Sequence, residues 1–171
     1  SPDMGADEWI KPNYGSWVGR VSIDWLVPEN WETNVVPDGN TDVLIKGGFT
    51  HMPTIVTTQA VRNLDMHAPD INNVPILTLS NGTIQINGVI NHTAGTIDGI
   101  NGTVEMNGTA SQQIPANLFQ NNALNNLVIG NTTAAGVDIN GTLDIYRSVT
   151  FSPGGLKLNT NDFLTFKSTA T

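Results

Sequence analysis

Three side chains in the middle of the chain have the types and the spacing for oxygen chemistry. Asp65, Gln85 and Glu105 recur at intervals of twenty residues. If each interval is one coil of a repeating strand, the three lie on successive rungs of one outward column. Parallel strands stack about 4.8 Å apart, so Asp65 and Glu105 would be about 9.6 Å apart at the backbone. Inverting glycosidases hold their two carboxyls about 6.5–9.5 Å apart, one as acid and one as base. The same three oxygen donors would also suit Ca2+, the one cofactor this set could take. The competing reading is a solvated face on which neutral Gln85 keeps two like charges apart. That reading is preferred, because a substrate-binding β-helix would want bases or aromatics beside the acids, and after Ile45 the only bases are Lys46, Arg62, Arg147, Lys157 and Lys167, most of them on other rungs.

Other residues invite chemistry and are better explained by structure. His51, His67 and His92 share no metal-ligand spacing. Asp98 and Asp138 are further oxygen donors, but no D-x-D-x-D-G loop or GGxGxD repeat surrounds them. Six N-x-T sequons, at Asn81, Asn91, Asn101, Asn107, Asn131 and Asn140, read as corner residues. All four tryptophans, Trp9, Trp17, Trp25 and Trp31, fall in the first 42 residues. They form either the core of a cap or a platform for stacking sugars, in which case Trp9 and Trp31 are the exposed members.

The elements that would position these residues are written in the repeat. NGTIQING at 81–88 returns as NGTVEMNG at 101–108, and NGTLDI begins at Asn140. Each copy sets two apolar residues around a polar one, the period-2 pattern of a strand with one buried face. Apolar pairs of this kind are Val43/Ile45, Leu64/Met66, Ile84/Ile86, Val104/Met106, Leu127/Ile129, Leu143/Ile145 and Leu164/Phe166, at steps of 21, 20, 20, 23, 16 and 21 residues. A strand recurring at that interval is one rung of a solenoid. The expected interior column is therefore Leu64, Ile84, Val104, Leu127, Leu143 and Leu164. A second strand column holds Leu77-Thr78-Leu79 and Val137-Asp138-Ile139, with Gly and Asn at the corners between columns. Ala116 to Leu127, Asn-rich and following Ile-Pro, reads as a loop inserted in the 23-residue step.

Composition agrees with an ordered, apolar-cored chain of 171 residues. Charged residues are 13% of the sequence, about half the ~25% usual for soluble domains. Of the net charge of −8, residues 1–42 carry eight acids against two bases, so −6. No basic stripe invites nucleic acid. There is no cysteine, which excludes disulfides and thiolate metal sites. No apolar run reaches the ~18 residues of a membrane span.

The expected fold is all-β: a single-stranded, right-handed parallel β-helix of six to seven rungs, its hand taken from the crossover rule. Residues 1–42 form an irregular Trp-rich N-terminal cap, with a short strand near Trp17 to Ile23, and residues 43–171 form the β-helix. The last strand-like motif, Leu164-Thr165-Phe166, has no charged or Trp-rich cap after it. The natural chain is expected to continue there, or that edge to dock on another subunit.

The ordered motifs resemble modules of large secreted proteins from Bacteroidetes-type bacteria. The residues that carry the resemblance are W-x-G-x-x-S-x-D-W at Trp17 to Trp25, Asn30-Trp31, Val36-Pro37, Asp42 to Ile45, Val61 to Leu64, Asn101 to Ile129 and Leu164 to Thr171. Asp42 to Ile45 is also similar to the opening of G8-type β-helix modules. The resemblance covers the chain from about residue 11 onward. It implies a secreted or cell-surface protein, often exported by the type IX system with further domains, and it implies no catalytic residues. The expected function is therefore a non-catalytic structural or adhesive module: an adhesin segment, stalk or fibre-forming unit. Its expected partners are further copies or domains, or a surface polysaccharide. The alternative is a β-helix that binds or degrades carbohydrate.

Overall fold

A computed structural model describes residues 14–152 and 154–167. Its elements are β1 (Tyr14–Ser16), β2 (Asp42–Lys46), β3 (Thr54–Ile55), β4 (Thr58–Val61), β5 (Leu64–His67), β6 (Ile76–Ile86) and β7 (Ile90–His92), followed by β8 (Thr96–Met106), β9 (Gln112–Ile114), β10 (Phe119–Ile129), β11 (Val137–Ile139), β12 (Thr142–Phe151), β13 (Leu156–Leu158) and β14 (Phe163–Phe166). The ladders between these strands are all parallel. They stack into a β-solenoid of about six turns, as the repeat predicts.

Each coil has three faces. The first face carries β1-β2-β5-β7 and, further along, β9-β11-β13. The long strands β6, β8, β10 and β12 bend and so supply the other two faces within one hydrogen-bonded sheet. The bend explains the Asn-Gly repeats. Asn81 takes the left-handed conformation at φ 59°, which Asn tolerates better than most residues. A Cβ on the following Gly82 would collide with the Ile55 carbonyl, and one on Gly102 with the Leu79 side chain. Close backbone approach, not positive φ, is what those two glycines permit.

The interior is a continuous apolar cluster from Val43 to Ile145, sealed at the N-terminal end by three tryptophans. Trp17, Trp25 and Trp31 pack mainly edge-to-face, with Trp25 and Trp31 ring centroids 4.6 Å apart. Trp17 Nε1 donates to the His51 carbonyl, and Trp31 Nε1 to the Trp25 carbonyl. Asn30, fully buried, ties the cap together. Its side chain accepts from the Val21 and Ser22 amides and donates to Ser22 Oγ and the Asp24 carbonyl. The short strand expected near Trp17 to Ile23 falls instead at Tyr14–Ser16, where it pairs with β2.

The register corrects the expected interior column. Ile84, Val104 and Leu127 do stack, but the next member is Val149 and the preceding one is Gln59. Leu64 stacks instead between Val43 and Ile90 on the first face, because the loop between β5 and β6 lengthens that coil. Leu143 pairs with Leu164 on another face. Ala116 to Leu127 is not a loop throughout: β10 starts at Phe119 and bends at Asn121 and Asn122, both left-handed, while Leu124 fills the core.

Candidate functional site

The three spaced oxygen donors are not one ladder. Gln85 and Glu105 are neighbours on the third face, where Gln85 Nε2 donates to Glu105 Oε2 at 2.9 Å. Asp65 lies on the first face between Leu44 and Asn91. The equal spacing misleads because it counts residues, and the chain between Asp65 and Gln85 does not close one coil. The expected two-carboxylate geometry, and the expected Asp65–Gln85–Glu105 cation set, are therefore not assembled. Among the described residues no group of three or more His, Asp or Glu side chains is placed to hold a metal ion.

Trp31 is fully buried, so it offers no ring to a sugar; Trp9 lies outside the described residues. The tryptophans that can be placed are the core of the cap. The histidines have separate partners: His51 contacts the Gly19 carbonyl, His67 at the end of β5 the Thr93 hydroxyl, and His92 at the end of β7 the Gly95 carbonyl.

Two features were not foreseen. The first is a pair of adjacent outward columns on the third face. One runs Thr58, Thr83, Thr103, Asn126, Ser148; the other runs Ala60, Gln85, Glu105, Val128, Thr150. Asn126 Nδ2 donates to Thr103 Oγ1 and Ser148 Oγ to Asn126 Oδ1, so the first column is partly cross-linked. Across five coils these columns hold hydroxyls, amides, one carboxylate and the apolar Ala60 and Val128. The signal was present in NGTIQ and NGTVE, where the threonine after Asn-Gly begins the outward column.

The second is an interruption of the first face. β7 and β9 follow one another along that face but are not hydrogen-bonded into one sheet. The Gln112 side chain stands in for the missing ladder. Its Nε2 donates to the Ile86 and Gly88 carbonyls, while its Oε1 accepts from the Gly108 amide and from Asn131 Nδ2. Asn131, itself fully buried, also donates to the Ala110 carbonyl and accepts from Thr133. Burying two amides is tolerable because their donors and acceptors are satisfied. Beside this bracket the surface opens into a cleft of about 370 Å³, whose lining includes Val89, Asn91, Ser111, Gln113 and Asp138. Asp138 accepts from Asn159 Nδ2 at 3.2 Å through both oxygens.

No helix among the described residues is long and apolar enough to cross a membrane. Comparison with protein-family models, curated proteins and solved structures finds no match for this chain.

Proposed function

We propose that this chain is a non-catalytic structural and adhesive β-solenoid module of a secreted or cell-surface bacterial protein. The observation that carries the reading is the third face. Its two outward columns run over five coils with mostly uncharged polar groups, the apolar Ala60 and Val128, and a single carboxylate, Glu105, already engaged by Gln85. General acid–base hydrolysis of a glycosidic bond needs a second carboxyl opposite the first, and Asp65, the expected partner, is on another face. A flat array of hydroxyls and amides suits repeated weak contacts along a polymer, where affinity comes from many sites in series. The resemblance of the cap and rung motifs to secreted bacterial modules points to the same setting.

The two ends support a stacking role. The N-terminal end is closed by the tryptophan cap, with the Glu32 amide bonded to the Ser16 carbonyl. At the other end β13 and β14 are edge strands, and Phe151, Leu158, Phe163 and Phe166 are half or more exposed, or nearly so. Exposed apolar side chains on strands that are edges among the described residues suit contact with a second copy of the chain. The test is retention of the purified module on insoluble bacterial and plant polysaccharides, assayed for released sugar. Retention without product supports the proposal, whereas product that disappears in Glu105→Gln overturns it.

A further inference from the structure

We propose that the cleft beside the β7–β9 interruption is a binding site for a neutral saccharide of one or two rings. The proposal goes beyond the structural reading, since a stalk or adhesin could work with this cleft empty. The interruption is built, not accidental. Gln112 is 3% exposed and has both donors and both acceptor positions of its amide engaged to three separate segments, which holds the two parts of the first face apart in a fixed geometry. A pre-formed concavity of about 370 Å³ lies within the range of small-ligand sites.

The lining defines the ligand. Asn91, Gln113 and Ser111 can each donate and accept, and none of their side chains has a hydrogen-bonding partner among the described residues. Asp138 adds an acceptor steadied by Asn159. Groups that both donate and accept match vicinal hydroxyls, which do the same. Val89, 46% exposed, supplies an apolar patch for the C–H face of a ring. The lining holds no Lys or Arg, and Asp138 repels anions, so uronic acids and phosphorylated sugars are disfavoured. With no aromatic platform, affinity rests on hydrogen bonds and is weak for an isolated sugar.

The test is a 15N–1H NMR titration of the whole chain with cellobiose, maltose and lactose, and with glucuronic acid as the anionic control. Saturable shifts at residues 89–91, 111–113 and 138, seen with a neutral disaccharide and not with glucuronic acid, are the expected result. Gln113→Ala should then weaken binding about tenfold, the equivalent of one lost hydrogen bond. Ser111→Ala is the second variant; both positions are exposed, and amide dispersion reports whether the fold is kept. Absence of shifts in the cleft with all three sugars, or an unchanged affinity in both folded variants, overturns the site. Polysaccharide retention without cleft shifts would sustain the adhesive reading and refute this one; cleft shifts without retention would do the reverse.

Discussion

Gln85 donates from Nε2 to Oε2 of Glu105, one coil further along the solenoid, at 2.9 Å. A neutral amide thus holds the carboxylate that the sequence offers as a catalytic acid. Glu105→Gln keeps an acceptor oxygen for Gln85, so it should leave the fold intact and shift Tm by no more than a degree or two. Differential scanning calorimetry checks this; a loss of several degrees would mean that the pair is structural.

The interior column gives a larger effect. Val104 is fully buried between Ile84 and Leu127. Val104→Asp would bury an unpaired charge and should cost on the order of 4 kcal/mol. That is a large part of the 5–15 kcal/mol of a typical domain. Urea denaturation is the measurement, and an unchanged midpoint would contradict the register.

The buried bracket is a second place where one side chain matters. Gln112→Leu would strand the Gly108 amide, the Gly88 carbonyl and one of the two Asn131 Nδ2 hydrogens, while the Ile86 carbonyl keeps the Asn107 amide and Asn131 keeps the Ala110 carbonyl. Each buried group left unpaired costs about 1–3 kcal/mol, so a loss of about 3 kcal/mol or more is expected. Faster hydrogen exchange should appear first around residues 86–88 and 108–112. Exchange unchanged there would show that the interruption holds without Gln112.

Acid should loosen a corner near the C-terminal end. Asp162 accepts from the Gly141 amide at 2.6 Å and the Asn159 amide at 2.9 Å, and these bonds, Gly141 first, hold its carboxyl below the usual range. Asp38, through the Asn40 amide, and Asp70, through the Asn73 side chain, are lowered in the same way. A carboxyl whose pKa is lower folded than unfolded binds more protons when unfolded. Its stabilisation is thus present above the unfolded value, about 3.9, and is lost as pH falls through the folded value. Asp162→Asn should lower Tm at pH 7 and show a shallower fall below pH 4 than the parent chain. Identical acid limbs in the two proteins would contradict this.

The exposed phenylalanines of β14 should promote association. Phe163 and Phe166 are 59% and 64% exposed on the last strand. Light scattering should show a mass that rises with concentration, and Phe166→Glu should suppress the rise. A parent chain that stays monomeric at high concentration would contradict it.

How much of this was legible follows from particular residues. The Ile84–Val104–Leu127 stack is legible because those coils are close to twenty residues long, and the first two share an Asn-Gly bend at 81–82 and 101–102. The assignments of Leu64, Asp65 and Leu143 failed for one physical reason: a repeat length counts residues, while a face is set by where the chain turns. The loop after β5 adds residues without adding a face, and the steps of 23 and 16 around Leu127 marked where two faces had been merged. Asn121 and Asn122 were read as loop residues, since nothing in the sequence separates an Asn pair that bends a strand from one that ends it. A tryptophan cluster looks alike as cap core and as binding platform, and it is the complete burial of Trp31 that separates the two. The cleft was invisible, because it depends on a ladder that is absent and on Gln112, which reads as an ordinary polar residue until its four partners are seen.

On the function proposed above, this solenoid binds or stacks and does not cut. The most direct test incubates the chain with a broad set of insoluble and soluble polysaccharides, measuring in one assay the protein retained and the new reducing ends or unsaturated products released. The account predicts retention on at least one polymer, weakened when Thr83 and Thr103 are both replaced by Val, with no product. Product formation abolished by Glu105→Gln would contradict it.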